Sequence, residues 1–228
     1  MGTGGTIDIL SPECLYLADA DPLLGRAIRL VGNIHYEERP NREDFFFHTI
    51  IGQMMSARVA DAIQERVENL CGGKMTADAI LSLGVEKLRS AGVSWQKAEY
   101  MTLFAQKIKN DPGFLEFISK LHNEDVIREL TALRGVGNWT AKMYLLFVLN
   151  RNDILPYEDG AFLQAYRWLY QTSQTSPTAI KKQCAPWHPY ESIAARFMYR
   201  ILDYGFTKYP SIEAAESRET NRTPLETR

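Results

Sequence analysis

Apolar residues recur along this chain every three or four positions, which is the spacing of one face of an α-helix. The first such run follows Asp21 and Pro22, an N-cap residue and a proline suited to a first helical turn. Strand-like alternation is nearly absent, and residues 1–20 are expected to form an irregular lead-in. The pattern predicts an all-α fold, with helices from residue 22, over 45–55, after Ser56, over 77–83 and 85–90, through 98–108, on both sides of 133–137, from 162 and from about 190.

A glycine turn, Leu-Arg-Gly-Val-Gly at residues 133–137, separates two of these predicted helices. Gly135 and Gly137 let the backbone turn sharply and approach another molecule without a Cβ in the way. The helix that begins after them points N–H groups and the positive end of its dipole outward, a combination that attracts phosphate. A plain helix–helix connection closed by glycine has the same pattern, so the turn alone leaves both interpretations open.

The residues around this turn resemble a known family, the helix-hairpin-helix DNA glycosylases whose motif ends in an aspartate. Residues 133–137 match the family's L-x-G-V/I-G hairpin, and Asp159 matches the aspartate that follows it. The run Gly-Val-Gly-Asn-Trp-Thr-Ala is most similar to the alkylation-repair branch, the 3-methyladenine DNA glycosylase II type. The resemblance covers about residues 22–206, although Glu191 stands where the family usually has arginine.

The resemblance implies two helical lobes that flank a DNA-binding cleft. One lobe is expected to comprise residues 40–150 and to carry the hairpin at 133–139. The other is expected to combine residues 1–39 with 151–210. The polar stretch 211–228 is expected to be a flexible tail.

The function that the resemblance implies is that of a monofunctional DNA glycosylase of base excision repair. Such an enzyme flips a nucleotide out of double-stranded DNA and hydrolyses the N-glycosidic bond of cationic, alkylated purines such as 3-methyladenine and 7-methylguanine. Asp159 would supply the carboxylate that stabilises the electron-poor sugar and orients or deprotonates water. Capping a helix is the ordinary role of such an aspartate and is compatible with catalysis. Glu158 is the adjacent alternative, but the family spacing favours Asp159.

Trp139 occupies the position at which the lyase members of the family carry a Schiff-base lysine. An indole cannot attack the sugar as an amine does, so no lyase activity is expected. The electron-rich face of Trp139 attracts a cationic base, and the resemblance adds Tyr199 to this base pocket, with Tyr157 as a further candidate. Aromatic residues at helical spacing otherwise belong to the core.

The hairpin is the first of two segments expected to bind DNA. The backbone at Gly135, with the N–H groups of Val136, Gly137 and Asn138, would hold phosphate without reading the sequence. In relatives the hairpin carbonyls also bind a monovalent cation, so the carbonyls of Leu133 and Gly135 are expected to hold a structural Na⁺ or K⁺. No other cofactor is expected.

The second DNA-binding segment is Gln53, Met54, Met55 and Ser56, which resembles the family's loop at the flipped nucleotide. Met54 is expected to fill the gap that the nucleotide leaves, with Gln53 beside the orphaned strand. An apolar wedge suits this role because unstacking a duplex costs a few kcal/mol. A helix break with two buried methionines is the alternative.

Charge and cysteine content limit the function without identifying a partner. The net charge is −2, whereas a DNA binder is usually basic, but residues 1–44 carry −4, which leaves +2 for the rest. The most basic segment, 86–109, has five basic and two acidic residues, which suits phosphate contacts or a solvated helix face. Three cysteines cannot form a four-cysteine iron–sulfur cluster.

Several alternatives to this reading stay open at the level of sequence. One is a uracil, hypoxanthine or other damaged-base glycosylase on the same scaffold. Another is a non-catalytic DNA-binding helix-hairpin-helix module, although Asp159 and Trp139 argue against it, and a third is a protein-interaction domain, which leaves the glycine turn unexplained. No apolar run of transmembrane length or signal-peptide pattern is seen. A cytoplasmic monomer without a membrane partner is expected, nucleoid-associated in a bacterium or nuclear in a eukaryote.

Overall fold

A computed structural model of the chain describes residues 4–37 and 42–220. Over these residues the regular structure is helical apart from one two-stranded sheet, which confirms the predicted all-α class. The elements in chain order are β1 (Gly4–Ile7), α1 (Pro12–Ala20), α2 (Pro22–Val31), β2 (Ile34–Glu37), α3 (Asp44–Gly52), α4 (Ala57–Leu70), α5 (Ala77–Ser90), α6 (Trp95–Asn110), α7 (Phe114–Ser119), α8 (Asn123–Thr131), α9 (Asn138–Phe147), α10 (Gly160–Tyr170), α11 (Pro177–Gln183), α12 (Glu191–Asp203) and α13 (Ile212–Thr220), with short 3₁₀ helices at Ala185–Trp187 and Phe206–Lys208.

The described residues form two compact units. The first, here called the hairpin unit, lies within Arg39–Asn150 and contains α3 to α9. The second, here called the aspartate unit, combines the described parts of Met1–Glu38 and Arg151–Arg228. In the part of the chain that the structure describes, no helix is both long enough and apolar enough to cross a membrane.

The core of the hairpin unit is built around α3, which packs against α4, α6 and α9. Phe45, Phe46 and Phe47 follow one another on α3 and are all buried. The ring of Phe46 lies 4.6 Å from that of Phe104 and 4.9 Å from that of Tyr144, measured between centroids. Burial of each such side chain contributes about 1.5–3 kcal/mol. This core fixes the C-terminal end of α3 and the body of α9, the two elements next to the predicted DNA-binding segments.

Helix α3 ends earlier than the apolar run predicted. It stops at Gly52 rather than continuing to residue 55, and Met54 has a φ of 56° in the left-handed region. Ser56 occupies the N-cap of α4, as predicted. Val59, an apolar residue in the first turn of α4, is 48% exposed. Apolar character alone predicted burial here, whereas the chain leaves apolar side chains on the surface beside this loop.

From Gly4 onwards the N-terminal lead-in contains regular structure, β1 and α1, where an irregular segment was expected. Residues of β1 pair antiparallel with β2, and Gly5 lies opposite Tyr36 in the register. A Cβ at Gly5 would be 2.3 Å from Cζ of Tyr36, so the tyrosine ring lies directly on the glycine backbone. The Gly-Thr-rich sequence has no apolar alternation, and its partner strand comes about thirty residues later, which explains why periodicity missed this pair.

The aspartate unit is centred on α12, which packs against α10 and α2. Asp21 caps α2 by accepting hydrogen bonds from the N–H groups of Leu23 and Leu24, as the sequence predicted. Its second carboxylate oxygen accepts hydrogen bonds from the Tyr170 hydroxyl and from Nε1 of Trp187. This buried carboxylate therefore connects α2 with α10 and with the segment before α12.

The expected flexible tail is wrong for Ile212–Thr220, which form α13 and pack against α2. Ile212 and Ala215 are buried. The guanidinium of Arg26 donates hydrogen bonds to Glu216 at 3.1 and 2.6 Å and to Glu213 at 2.6 Å. This ion-pair network fixes α13 to the aspartate unit; residues 221–228 lie outside the described residues.

Candidate nucleic-acid interface and active site

The predicted helix, turn and helix are present in the hairpin unit as α8, residues 132–137 and α9. Gly135 has a φ of 86°, and a Cβ there would lie 2.4 Å from Cδ2 of Tyr100. Glycine is therefore required at this position for its backbone conformation and for the approach of the tyrosine ring. Helix α6 supplies Tyr100 and so supports the turn from beneath.

The N-terminal end of α9 presents backbone to solvent. Gly137 is the N-cap, and no described side chain caps this helix. A Cβ at Gly137 would meet no described atom within 4 Å, and both Gly137 and Asn138 are exposed. This end of the helix can accept an anion.

Val136 is a correction to the expected phosphate contacts. Its N–H donates to the carbonyl of Leu133 at 3.1 Å, and its side chain is buried. Val136 therefore closes the turn, and Gly137 and Asn138 remain as the residues whose N–H groups suit a phosphate.

The carbonyls of Leu133 and Gly135, the expected cation ligands, each accept one hydrogen bond. The donor is the N–H of Val136 for Leu133 and Nε2 of Gln53, at 2.8 Å, for Gly135. A carbonyl oxygen has two lone pairs, so both groups retain the capacity to coordinate a cation. Elsewhere in residues 4–37 and 42–220, no group of three or more His, Cys, Asp or Glu side chains is arranged to hold a metal ion.

Residues Gln53 to Ser56 form the connection between α3 and α4, here called the wedge loop. Met54 is fully exposed, which excludes the alternative of two buried methionines, while Met55 is half-buried. Gln53 was expected beside the orphaned strand, but its side chain instead donates to the carbonyl of Gly135 in the hairpin. The loop therefore presents a single apolar side chain and is linked to the hairpin.

Three of the five basic side chains in segment 86–109 make ion pairs or hydrogen bonds within the protein. Lys107 pairs with Asp111 at 2.9 Å, and Lys109 pairs with Asp78 at 2.8 Å. Lys97 is directed towards backbone carbonyls of the wedge-loop region. Backbone N–H groups, rather than this segment, are therefore the better candidates for phosphate contacts.

Asp159 is the N-cap of α10 in the aspartate unit and is only 7% exposed. Its Oδ1 accepts a hydrogen bond from the N–H of Phe162 at 2.7 Å. The Tyr199 hydroxyl donates a hydrogen bond to the same carboxylate. Glu158 is exposed. The capping role and a fixed carboxylate are thus combined in Asp159, as the sequence suggested.

Tyr199 was predicted as a pocket aromatic, and the structure places its hydroxyl on Asp159. Burial raises the pKa of Tyr199, and the negative charge of Asp159 and the hydrogen bond to it raise it further. Arg196, one turn earlier on α12, lies with its guanidinium 4.6 Å from the centroid of the Tyr36 ring. Desolvation lowers the pKa of Arg196. Arg196 was not predicted as a site residue, because a charged residue within an amphipathic helix ordinarily faces water.

The remaining predicted pocket aromatics have different surroundings. The ammonium of Lys181 lies 4.6 Å from the centroid of the Tyr157 ring. That face of Tyr157 already holds a cation and is unsuited to a cationic base. Trp139 belongs to the hairpin unit, at the second position of α9, and is 37% exposed.

Ser192 supports Asp159 from the start of α12 and was not recognised in the sequence as a site residue. Its Oγ accepts from the N–H of Ile154 at 3.0 Å, and its own N–H donates to the carbonyl of Asn152 at 2.8 Å. These bonds fix the segment that leads to Asp159. The family resemblance over residues 22–206 includes this serine, but it gave no indication of what the serine contacts.

The chain thus carries, in order, a helix, a glycine turn, a second helix with an uncapped N-terminal end and a buried aspartate at the start of the next helix. These features define an all-α helix-hairpin-helix protein with a carboxylate site. The chain belongs to the HhH-GPD superfamily of base excision DNA repair proteins, whose family model matches residues 47–189.

Relatives and solved structures agree with this assignment. DNA-3-methyladenine glycosylase 1 of Schizosaccharomyces pombe is 28% identical over 205 residues, covering 83% of this chain and 88% of the relative. The crystal structure of a Bacillus halodurans DNA-3-methyladenine glycosidase is similar with a TM-score of 0.79 and 27% identity, over 93% of this chain and 99% of that one. The S. pombe 3-methyladenine DNA glycosylase in complex with abasic DNA has a TM-score of 0.73 and 26% identity, over 85% and 97%.

Proposed function

We propose that this protein is a DNA glycosylase of base excision repair that releases 3-methyladenine from double-stranded DNA. The observation that carries the proposal is Asp159, a buried carboxylate fixed at the start of α10 at the position of the family's aspartate. The similarity to 3-methyladenine glycosylases over most of both chains supports the same substrate class.

In the proposed reaction, the bond between C1′ of deoxyribose and the base nitrogen breaks, and its electron pair leaves with the base. A base that carried a positive charge leaves as a neutral molecule, so it requires no general acid. Asp159 stabilises the positive charge that develops on the sugar and orients the water that adds to C1′. The proton of that water passes to the carboxylate or to solvent. The N–H of Phe162 and the hydroxyl of Tyr199 hold the carboxylate in one orientation.

The proposed preference for cationic bases is supported by Trp139. Trp139 exposes part of its indole, and an aromatic face attracts a cationic ring by about 0.5–2 kcal/mol. 7-Methylguanine carries the same formal charge as 3-methyladenine and is proposed as a second substrate. Since Trp139 has no amine with which to form a Schiff base, the proposed enzyme is monofunctional and leaves an abasic site without nicking the strand.

The proposed DNA contacts come from the hairpin unit. The N–H groups of Gly137 and Asn138 would bind phosphate, and Met54 would enter the duplex as the nucleotide flips out. The carbonyls of Leu133 and Gly135 would hold a Na⁺ or K⁺ ion, which would add positive charge beside the phosphate. The protein is proposed to act as a monomer on cellular DNA.

The test is base release from methylated duplex DNA, with the free bases identified by chromatography and strand breaks counted before and after alkali. We expect 3-methyladenine and 7-methylguanine to be released, with breaks appearing only after alkali. Release of uracil or hypoxanthine from duplexes that contain them, without release of either methylated base, would overturn the substrate class. No release of any base, with tight binding to abasic duplex, would identify a non-catalytic DNA-binding module.

A further inference from the structure

Met54 has an unfavourable backbone conformation that no burial of its own side chain offsets. A non-glycine residue in the left-handed region is conformationally unfavourable, and Met54 has a φ of 56°. Its side chain is fully exposed, so burial does not offset this cost. Such a backbone conformation persists only where the surrounding structure fixes it.

Lys97 fixes the wedge loop from one side. It projects from the first turn of α6, and its Nζ donates hydrogen bonds to the carbonyls of Ile51 at 2.8 Å and Gln53 at 2.7 Å. These carbonyls belong to the end of α3 and the residue just before Met54, where no continuing helix can use them. Desolvation lowers the pKa of Lys97, consistent with an ammonium withdrawn from water.

Gln53 fixes the same loop from the other side. Its Nε2 donates to the carbonyl of Gly135 at 2.8 Å, at the centre of the hairpin turn. The backbone of Gln53 is therefore held by Lys97 and its side chain by the hairpin. Both bonds act on the residue whose C-terminal neighbour is Met54.

We propose that Lys97 and Gln53 are positioning residues that hold Met54 ready for insertion into the duplex and couple that insertion to the phosphate-binding hairpin. The inference rests on the proposed function and adds to it the residues that set the wedge. Lys97 contributes through two directed N–H bonds rather than through attraction to phosphate. A loop ordered in advance leaves less conformational entropy to be lost when DNA binds.

The experiment measures Met54 insertion separately from base release. The duplex carries an abasic-site analogue with a neighbouring 2-aminopurine, and fluorescence is recorded at saturating protein. The part of the signal change that Met54→Ala abolishes reports insertion. The variants are Met54→Ala, Lys97→Met, the double variant, and Gln53→Leu, which breaks the link to the hairpin. Lys109→Met is the matched control. It also removes a lysine from α6, but the ion pair of Lys109 with Asp78 is exposed.

We expect Lys97→Met to reduce the Met54-dependent signal by about tenfold, and to cause no further change when it is added to Met54→Ala in the double variant. Gln53→Leu should reduce the signal in the same direction, and Lys109→Met should leave it unchanged. Urea unfolding of each variant separates loss of stability from loss of insertion, because only the folded fraction is compared.

A wild-type signal in folded Lys97→Met and Gln53→Leu would overturn the inference, as would the absence of any Met54-dependent signal in the wild type. An equally large effect of Lys97→Met on the fluorescence in the wild-type and in the Met54→Ala background would also overturn it. These outcomes are distinct from failure of the proposed function. In that case the wild type would release no methylated base, yet the signal would still depend on Lys97.

Discussion

At the scale of single residues, the account depends on how firmly Asp159 is held. The N–H of Phe162 and the hydroxyl of Tyr199 orient its carboxylate, and Ser192 fixes the segment that precedes it. The sequence predicts Asp159 as the candidate carboxylate because its spacing from the glycine turn matches the family. The contacts of Tyr199 with this carboxylate and of Ser192 with the preceding segment were not predictable, because both residues come more than thirty positions later.

Tyr199→Phe tests this orientation directly. Removing the hydroxyl deletes a hydrogen bond to a charged acceptor, a contact worth about 1.5–3 kcal/mol, so single-turnover base release should slow by about tenfold or more. Affinity for abasic duplex should change little. Tyr204→Phe, at the exposed end of the same helix, is the control. An unchanged rate in Tyr199→Phe would mean that the hydroxyl does not position the carboxylate.

Tyr144 provides a prediction about stability and pH. Its hydroxyl is buried, with no partner among the described groups, and burial raises its pKa to about 12 from an ordinary value of 10. The unfolded chain therefore loses this proton first as pH rises, and stability falls between pH 10 and 12. Tyr144→Phe should unfold at higher urea than the wild type, with a difference that grows by about 1 kcal/mol between pH 9 and 11. A difference that stays constant with pH would contradict the assignment.

At the scale of elements, the hairpin was the most predictable feature, because glycine spacing and helical periodicity are both local signals. The end of α3 was less predictable. The apolar run continues through Met55, whereas the helix stops at Gly52, where Lys97 donates hydrogen bonds to the carbonyls of Ile51 and Gln53. A lysine in a basic segment gives no sequence signal that it binds carbonyls.

Gly135 and Gly137 should respond differently to alanine. Gly135→Ala adds a Cβ at positive φ and against Tyr100, so it should destabilise the protein by about 2–4 kcal/mol. Gly137→Ala meets no described atom and should cost only about 0.5–1 kcal/mol as a poorer N-cap, while weakening DNA binding. Urea unfolding and titration with abasic duplex measure the two effects. Equal stabilities for the two variants would refute this account of the turn.

At the scale of the whole molecule, the helical class was predictable from periodicity, whereas strand β1 and helix α13 were not. Strand β1 is short and glycine-rich, and among the described side chains of α13 only Ile212 and Ala215 are buried, so neither element has a strong apolar pattern. Both elements are stabilised by partners that are distant in sequence. Strand β1 pairs with β2, and α13 packs against α2 and bonds to Arg26.

A chain that ends after Pro210 tests the contribution of α13. It loses buried Ile212 and Ala215 and the partners of Arg26, which should lower stability by about 2 kcal/mol and Tm by about 4–8 °C. A chain that ends after Thr220 is the control and should unfold like the full chain. Thermal unfolding of the three proteins measures this contribution. Equal Tm values would show that α13 does not stabilise the aspartate unit.

The central claim is that Asp159 performs the chemistry, and the most direct measurement is single-turnover release of 3-methyladenine by Asp159→Asn. Asparagine keeps the size of the side chain and an oxygen that can cap α10, so the fold should be retained. We predict a loss of at least about a hundredfold in rate, with abasic-duplex binding unchanged, whereas Glu158→Gln should keep the wild-type rate. A wild-type rate in Asp159→Asn, or a comparable loss in Glu158→Gln, would contradict the account.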